Sequence, residues 1–315
     1  MPNNPITFRY KPMTILVTYF SQSGQLKSIL EEFVRPFLGK AEIDWVEVRP
    51  TSPFPFPWSS KTFYEAMPET VLEQPIAIEE LAFKQDQYDL IIIGYQPWFL
   101  SPSLPLTALF HNEEFRRRAA GTPMVTVIGA RNMWLNAQES VKMNIQRVGG
   151  QLVGNVPLVD KHPNLLSAVS IVHWMMTGRK ERKWGIFPLP GVSDEDILGA
   201  ANSGQLLLEA IDHGKLMSYQ QRIVSAGYIS IPTTILFIEQ RAKKLFRIWA
   251  NQIKKQEQRG KRQLWLKIFR IYLVVALYMV APILLTFYSL LIRPFSGSSI
   301  KRKKAYFCST ELKLE

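Results

Sequence analysis

The sequence predicts an α/β fold in which five parallel strands form a doubly wound sheet, followed by a helical tail. Three observations carry that expectation. From Met13 to about His213, short β-branched apolar runs alternate with stretches whose apolar residues recur at helical spacing. The stretch Tyr88-Asp89-Leu90-Ile91-Ile92-Ile93-Gly94 is a nearly continuous apolar run, as in strands buried on both faces of a parallel sheet. The first run ends abruptly in a turn of serines and a glycine, with a helical pattern immediately behind it.

That first run is Met13-Thr14-Ile15-Leu16-Val17-Thr18-Tyr19, and the helix behind it shows Leu26, Ile29, Leu30, Phe33 and Val34. Ile43 to Val48 alternates apolar and polar residues, which suits a second strand that is half-buried or at an edge. Pro50 to about Pro75 is rich in proline and aromatics (Pro53-Phe54-Pro55-Phe56-Pro57-Trp58), which forbids regular strand and predicts an extended, packed loop. Tyr88–Gly94 is the third strand. Leu104 to Ala119 reads as one helix, Pro123 to Gly129 as the fourth strand, and Asn136 to Val148 as a helix closed by Gly149-Gly150. Val153 to Val159 is the fifth strand. Because crossovers between parallel strands are right-handed, five such units predict a doubly wound parallel sheet, for which the order 2-1-3-4-5 is the expectation. The apolar stretch Asn164 to Gly178, ending in Arg179-Lys180-Glu181-Arg182-Lys183, leaves two readings open: a core helix with a charged end, or an interfacial helix touching lipid. Ser193, followed by Asp194, Glu195 and Asp196, is the N-cap expected for a closing helix that runs to about His213 and stops at Gly214.

The chain has 315 residues, is 47% hydrophobic and carries a net charge of +12. That composition is ample for a core and excludes a disordered chain. The charge is unevenly spread: from Lys215 onward there are 19 Lys and Arg against 4 Asp and Glu, leaving 19 against 22 before it. A near-neutral body with a basic apolar tail reads as a domain tethered to an anionic membrane, with no nucleic-acid partner. The sole cysteine, Cys308, allows no internal disulfide, and the four histidines show no ligand spacing, so no metal is expected. The amino terminus Met1–Pro5 lacks a signal pattern, which places the body in the cytoplasm, anchored to the inner membrane.

Composition divides the chain into a domain at 1–215, with its proline and aromatic insertion at about 50–75, and three further segments. Residues 216–260 form a basic amphipathic helical segment, 264–293 an apolar membrane segment, and 294–315 a basic tail. Ile271 to Ile292 is 22 residues without a charge, long enough to cross a bilayer. Basic residues flank both ends, so the positive-inside rule orients nothing, and Pro282 leaves a shallow re-entrant hairpin open beside a single span.

In open α/β sheets, ligands bind beyond the carboxyl ends of the strands where the strand order reverses, here between strands one and three. The loop after strand one, Ser21-Gln22-Ser23-Gly24-Gln25, opens a helix whose first free N–H groups suit a phosphate. The loop after strand three carries Gln96, Pro97, Trp98 and Phe99, and the loop after strand four carries Gly129, Arg131, Asn132 and Trp134. A phosphate loop beside aromatic walls points to a phosphorylated planar cofactor. There is no GxxxxGK[ST] and no GxGxxG, so FMN is favoured over nucleoside triphosphates and dinucleotides.

These residues resemble the flavodoxin-like flavoproteins, whose phosphate loop usually reads Ser-x-Thr-Gly-Asn-Thr. Here it reads Ser21-Gln22-Ser23-Gly24-Gln25-Leu26, and Leu26 removes the last hydroxyl. Tyr19–Leu26, Pro53–Trp58 with Phe63–Leu72, Gly94–Ser103, Val127–Glu139 and Gly191–Ile197 are also similar to bacterial proteins named dialkylresorcinol condensing enzymes. The resemblance covers about residues 13 to 200. It implies a role in alkylresorcinol biosynthesis, with a ketosynthase and an acyl carrier protein of the same pathway as partners. The fold lacks condensing machinery, and an FMN-dependent oxidation that aromatises a lipophilic cyclohexanedione-type intermediate fits better. On that reading Trp98 or Phe99 stacks on the flavin, and Arg131 is the catalytic candidate, steadying an enolate oxygen. A second function class stands beside it: a cofactor-free module of the same fold that assembles a membrane biosynthetic complex.

Overall fold

The computed structural model describes residues 12–312; the amino-terminal stretch read above, Met1–Pro5, lies outside them. Strands β1 (Met13–Tyr19), β2 (Ala41–Glu47), β3 (Leu90–Tyr95), β4 (Pro123–Ala130) and β5 (Gln151–Val159) form one parallel sheet in the order β2-β1-β3-β4-β5. This is the flavodoxin-like order expected from the sequence. All six residues of β3 are buried, whereas β2, with a neighbour on one side only, keeps mainly Asp44 and Val46 out of water.

The helices are α1 (Gln25–Val34), α2 (Ser60–Glu65), α3 (Met67–Val71), α4 (Leu104–His111), α5 (Glu113–Ala119), α6 (Leu135–Arg147), α7 (Asn164–Thr177), α8 (Asp194–Asp212), α9 (Tyr219–Ser225), α10 (Thr233–Glu257), α11 (Arg262–Val275), α12 (Ala281–Phe287) and α13 (Gly297–Phe307). Helix α8 crosses α1 at close range: a Cβ on Gly204 would stand 1.9 Å from the Phe33 carbonyl oxygen, so only glycine fits there. Its N-cap is Ser193, whose hydroxyl accepts from the Asp196 N–H at 3.1 Å.

Three local expectations are corrected. The single helix at Leu104–Ala119 is broken at Asn112, which turns extended and caps α5 through the Phe115 N–H at 2.9 Å; an asparagine gains more as a cap than inside a helix. The end of the loop at 50–75 is helical, because Ser59 caps α2 and Pro68 sits in the first turn of α3, where a missing N–H is harmless. Pro282 makes no hairpin. The helix runs from Arg262 to Phe295, and a π-helical stretch at Ala276–Val280, closed by the Ala281 N–H on the Ala276 carbonyl, directly precedes the proline.

Beyond Lys215 the chain folds back on the body. Tyr219, Ile223, Ile229, Ile231, Leu236 and Phe307 belong to the same apolar core as the sheet. A second cluster joins Met67 of α3 to Ala250 and Ile253 of α10 and to Leu266 and Phe269 of α11.

Candidate functional site

The loops after β1, β3 and β4 leave the same edge of the sheet, and their residues differ in what they have left to offer. After β1 the chain turns at Gly24, whose φ of 84° is left-handed and whose missing Cβ leaves open space in front of α1. As the N-cap residue, Gly24 has no side chain to offer that helix. The Ser21 hydroxyl accepts from the Lys27 N–H at 3.2 Å, while among the described residues the amides of Ser23, Gly24, Gln25 and Leu26 meet no acceptor. Four donors at a helix start form a cradle for an anion.

Two glutamines fix this loop. Gln22 donates its side-chain N–H groups to the carbonyls of Phe54 and Pro55 at 3.3 and 3.0 Å, and its own amide reaches the Gln96 Oε1 at 3.4 Å. The Gln22 Oε1 is buried with no donor. Gln25 is spent on the backbone of Val192, donating to its carbonyl and accepting from its N–H, both at 3.0 Å. Gly191 permits that pairing, because a Cβ there would stand 2.6 Å from the Gln25 Oε1. The structure therefore assigns Gln25 a positioning role, with Gly191 and Val192 as the wall that holds it.

After β3, Pro97–Trp98 pairs with Ser101–Pro102 in a two-residue hairpin whose turn residues, Phe99 and Leu100, take left-handed φ values of 47° and 65°. Tight hairpins demand such angles and usually supply glycine or asparagine; side chains there cost roughly 1–2 kcal/mol each. The turn separates the two aromatic candidates. Trp98 meets Phe20, Phe54 and Trp58 edge-on at 5.8, 5.0 and 5.4 Å, beside the cradle. Phe99 points instead to Phe63 and to Phe246 of α10, at 4.8 and 6.4 Å. Trp58 is buried and its backbone N–H donates to the Met175 carbonyl at 2.7 Å, which fastens the proline and aromatic insertion to α7.

After β4, Gly129 backs onto Leu26, 3.4 Å from where a Cβ would lie, and serves packing. Arg131 is part-buried and donates from Nη1 to the Asn164 carbonyl at 2.8 Å, to the Asn164 Oδ1 at 2.7 Å and to the Ser167 hydroxyl at 3.4 Å. Burial pulls its pKa below the ordinary value, against the opposing charge of Asp160. Asn132 donates to the same Asn164 Oδ1 at 2.7 Å, and its own Oδ1 is buried without a donor. Trp134 is buried in the core. Asn164 thus gathers this loop onto α7, a contact that a separation of 33 positions hides from local reading.

Sequence reasoning also missed Glu239. Its carboxylate accepts from the Asn136 N–H at 2.7 Å and faces the amides of Leu135 and Trp134, occupying the start of α6 from α10. Burial raises its pKa to about 7 despite those amides. The one available signal was its place as the sole acid between Lys215 and Glu257.

No family model and no curated protein matches the chain. Among solved structures, it is similar to a flavoprotein in complex with FMN from Lactobacillus acidophilus, with 16% identity, a TM-score of 0.37, and coverage of 46% of this chain and 93% of that one. A flavoprotein from Bacteroides eggerthii shares 17% identity at a TM-score of 0.38, over 46% and 87% of the two chains. A flavodoxin from the domain Archaea shares 12% at 0.33, over 64% and 100%. These neighbours are flavoproteins; the fold of this chain rests on its own strand order.

Proposed function

We propose that this chain is a membrane-associated FMN-dependent oxidoreductase, with the cradle of Ser21, Ser23, Gly24, Gln25 and Leu26 as its phosphate site. The observation that carries the reading is the set of four unpaired amides at the start of α1, at the strand-order reversal. The residues present fit the phosphate end: the backbone donors are unpaired, the space where a Gly24 Cβ would stand is open, Ser23 is only half-buried, and the side chain of Leu26 lies in the core. Trp98, with Gln96 and Pro97, lies at the ring end. The buried acceptors Gln22 Oε1 and Asn132 Oδ1 suit N–H groups of a flat heterocycle. Bound FMN would supply the two-electron acceptor. The protein's share is to bind and orient, to exclude water beneath Trp58, and to hold Arg131 through Asn164.

Resemblance supports the finer reading, that the substrate is a lipophilic cyclohexanedione-type intermediate of dialkylresorcinol biosynthesis, which aromatises on losing two electrons and two protons. A ketosynthase and an acyl carrier protein would deliver it at the cytoplasmic face of the inner membrane. An apolar groove of about 370 Å³ between α7 and α12, lined by Leu165, Leu166, Pro282 and Leu285 beside Asn164, supports a lipophilic substrate. One observation favours the cofactor-free reading: Phe54, Trp58 and Trp98 pack on each other where the ring would enter. Calorimetry of the full chain in mild detergent with FMN decides. Saturable binding with one FMN per chain is expected, and its absence overturns the oxidoreductase in favour of the scaffold.

A further inference from the structure

The helix from Arg262 to Phe295 has 34 residues, is strongly apolar and is almost entirely unburied by the rest of the protein. At about 1.5 Å per residue it is roughly 50 Å long, well beyond the ~30 Å hydrocarbon core of a bilayer. Length and composition alone suit a crossing helix. Three features of the fold do not.

Both ends of the helix are tied to one domain. At its start Arg262 donates to the Glu69 carboxylate at 2.8 and 2.9 Å and to the Glu65 carbonyl at 2.9 Å, joined by Lys254 at 3.0 Å. Just past its end, α13 brings Phe307 into the core, and the carbonyls of Cys308 and Glu311 accept from Gln220 at 2.5 Å and Lys142 at 3.1 Å. In between, the helix runs antiparallel along α10. Trp249 meets Trp265 and Tyr272 near one end, at 6.2 and 4.9 Å, and Phe237 stacks on Tyr288 at 3.8 Å near the other. A crossing helix would therefore drag α10 through the hydrocarbon with Arg241, Lys243, Lys244 and Arg247 near mid-depth. Charges at that depth are among the most unfavourable groups a bilayer can receive.

We propose that this helix is an in-plane anchor: it lies along an anionic bilayer surface at head-group depth, without crossing, and both of its ends stay on the side of the domain. Its outward residues, such as Ile271, Ile283 and Leu291, are 58% to 66% exposed and enter the acyl boundary. Lys244 and Arg247, exposed on α10 beside Leu245 and Ile248, meet the phosphates.

The test uses the full chain with Cys308→Ala on vesicles of phosphatidylglycerol and phosphatidylcholine. Single cysteines are placed at Leu264, Ile271, Ile283 and Leu291 and carry an environment-sensitive dye. All four should be quenched more by lipids brominated near the head group than by lipids brominated near the chain end, to a common depth. A depth that changes along the helix, deepest near Ile283, overturns the proposal. Cysteines at Gln258 and Ser299, outside the apolar stretch, should both react with an impermeant maleimide added outside sealed vesicles; protection of one until detergent is added also overturns it. Lys244→Gln with Arg247→Gln should weaken binding to the anionic vesicles roughly 30-fold, and leave binding to neutral ones unchanged. A chain that ignores vesicles and forms a stable dimer has given this face to a second copy, and the proposal falls.

Discussion

Two helices begin at the same edge of the sheet, each directly after a central strand, and they differ in what sits on their first amides. The start of α6 holds the chain's own carboxylate, Glu239, with the Asn136 N–H at 2.7 Å. The start of α1 holds no charged group of the chain: the Ser21 hydroxyl takes only the Lys27 N–H, Gly24 turns there, and the amides of Ser23 to Leu26 are unpaired among the described residues. Both termini carry the same partial positive charge. One is satisfied from within by a residue 103 positions away, so that α10 is latched to the body. The other is left for an anion from outside. A polar group becomes a site when the fold does not use it, and the comparison identifies which helix start that is.

The comparison breaks most sharply if the first terminus is made to imitate the second. Ser23→Asp places a carboxylate on the cradle. It should lower FMN affinity by at least ~100-fold, since like charges about 4 Å apart near a protein surface repel by about 4 kcal/mol. Thermal unfolding should show no loss of stability, as the new charge caps the helix. Calorimetry and a melting curve report both.

The converse change neutralises the second terminus. Burial raises Glu239 from an ordinary 4.5 to about 7. Between those values the folded chain keeps a proton that the unfolded chain has lost, so stability falls as pH rises from about 4.5 to 7 and levels above it. The full difference is on the order of 3 kcal/mol. Glu239→Gln should abolish it: denaturant unfolding should find the variant close to wild type at about pH 5 and clearly more stable at about pH 8. Parallel curves for the two proteins would remove Glu239 as the titrating group.

Arg131 sharpens the same contrast, because its hydrogen bonds are made inside the protein. Arg131→Met should cost about 2 kcal/mol of stability by stranding Asn164, with FMN affinity changed by less than about threefold. A large loss of affinity without a loss of stability would make it a ligand contact. Smallest is Gly191→Ala, whose Cβ meets Gln25 and Trp174 at 2.6 and 2.8 Å and whose φ of +83° is unfavourable by roughly 1–2 kcal/mol for alanine. It should weaken FMN binding several-fold by displacing Gln25, which titration against wild type would show.

The fold was legible because β1, β3 and β4 are β-branched apolar runs alternating with helical patterns, and right-handed crossovers make such units a doubly wound parallel sheet. The cradle was legible for the same local reason, Ser21 to Gly24 lying between a strand and a helix. The rest depends on distant partners. Nothing near Asn136 announces Glu239, nothing near Arg131 announces Asn164, and the side-chain carboxamide of Gln25 could not be known as occupied without Val192. Trp98 and Phe99 are adjacent aromatics in sequence, yet the left-handed turn sends them to opposite partners. Asn112 shows the limit within one element: a helical pattern at 104–119 hides a cap that splits it.

The most direct test follows the backbone amides themselves. In ¹⁵N-labelled full chain in detergent, the resonances of Ser23, Gly24, Gln25 and Leu26 should shift on adding FMN and stay in place with riboflavin, which lacks the phosphate. Asn136, whose N–H is already bonded to Glu239, should stay in place with both. Equal shifts with the two ligands, or none at residues 23 to 26, would contradict the assignment of that helix start as the anion site.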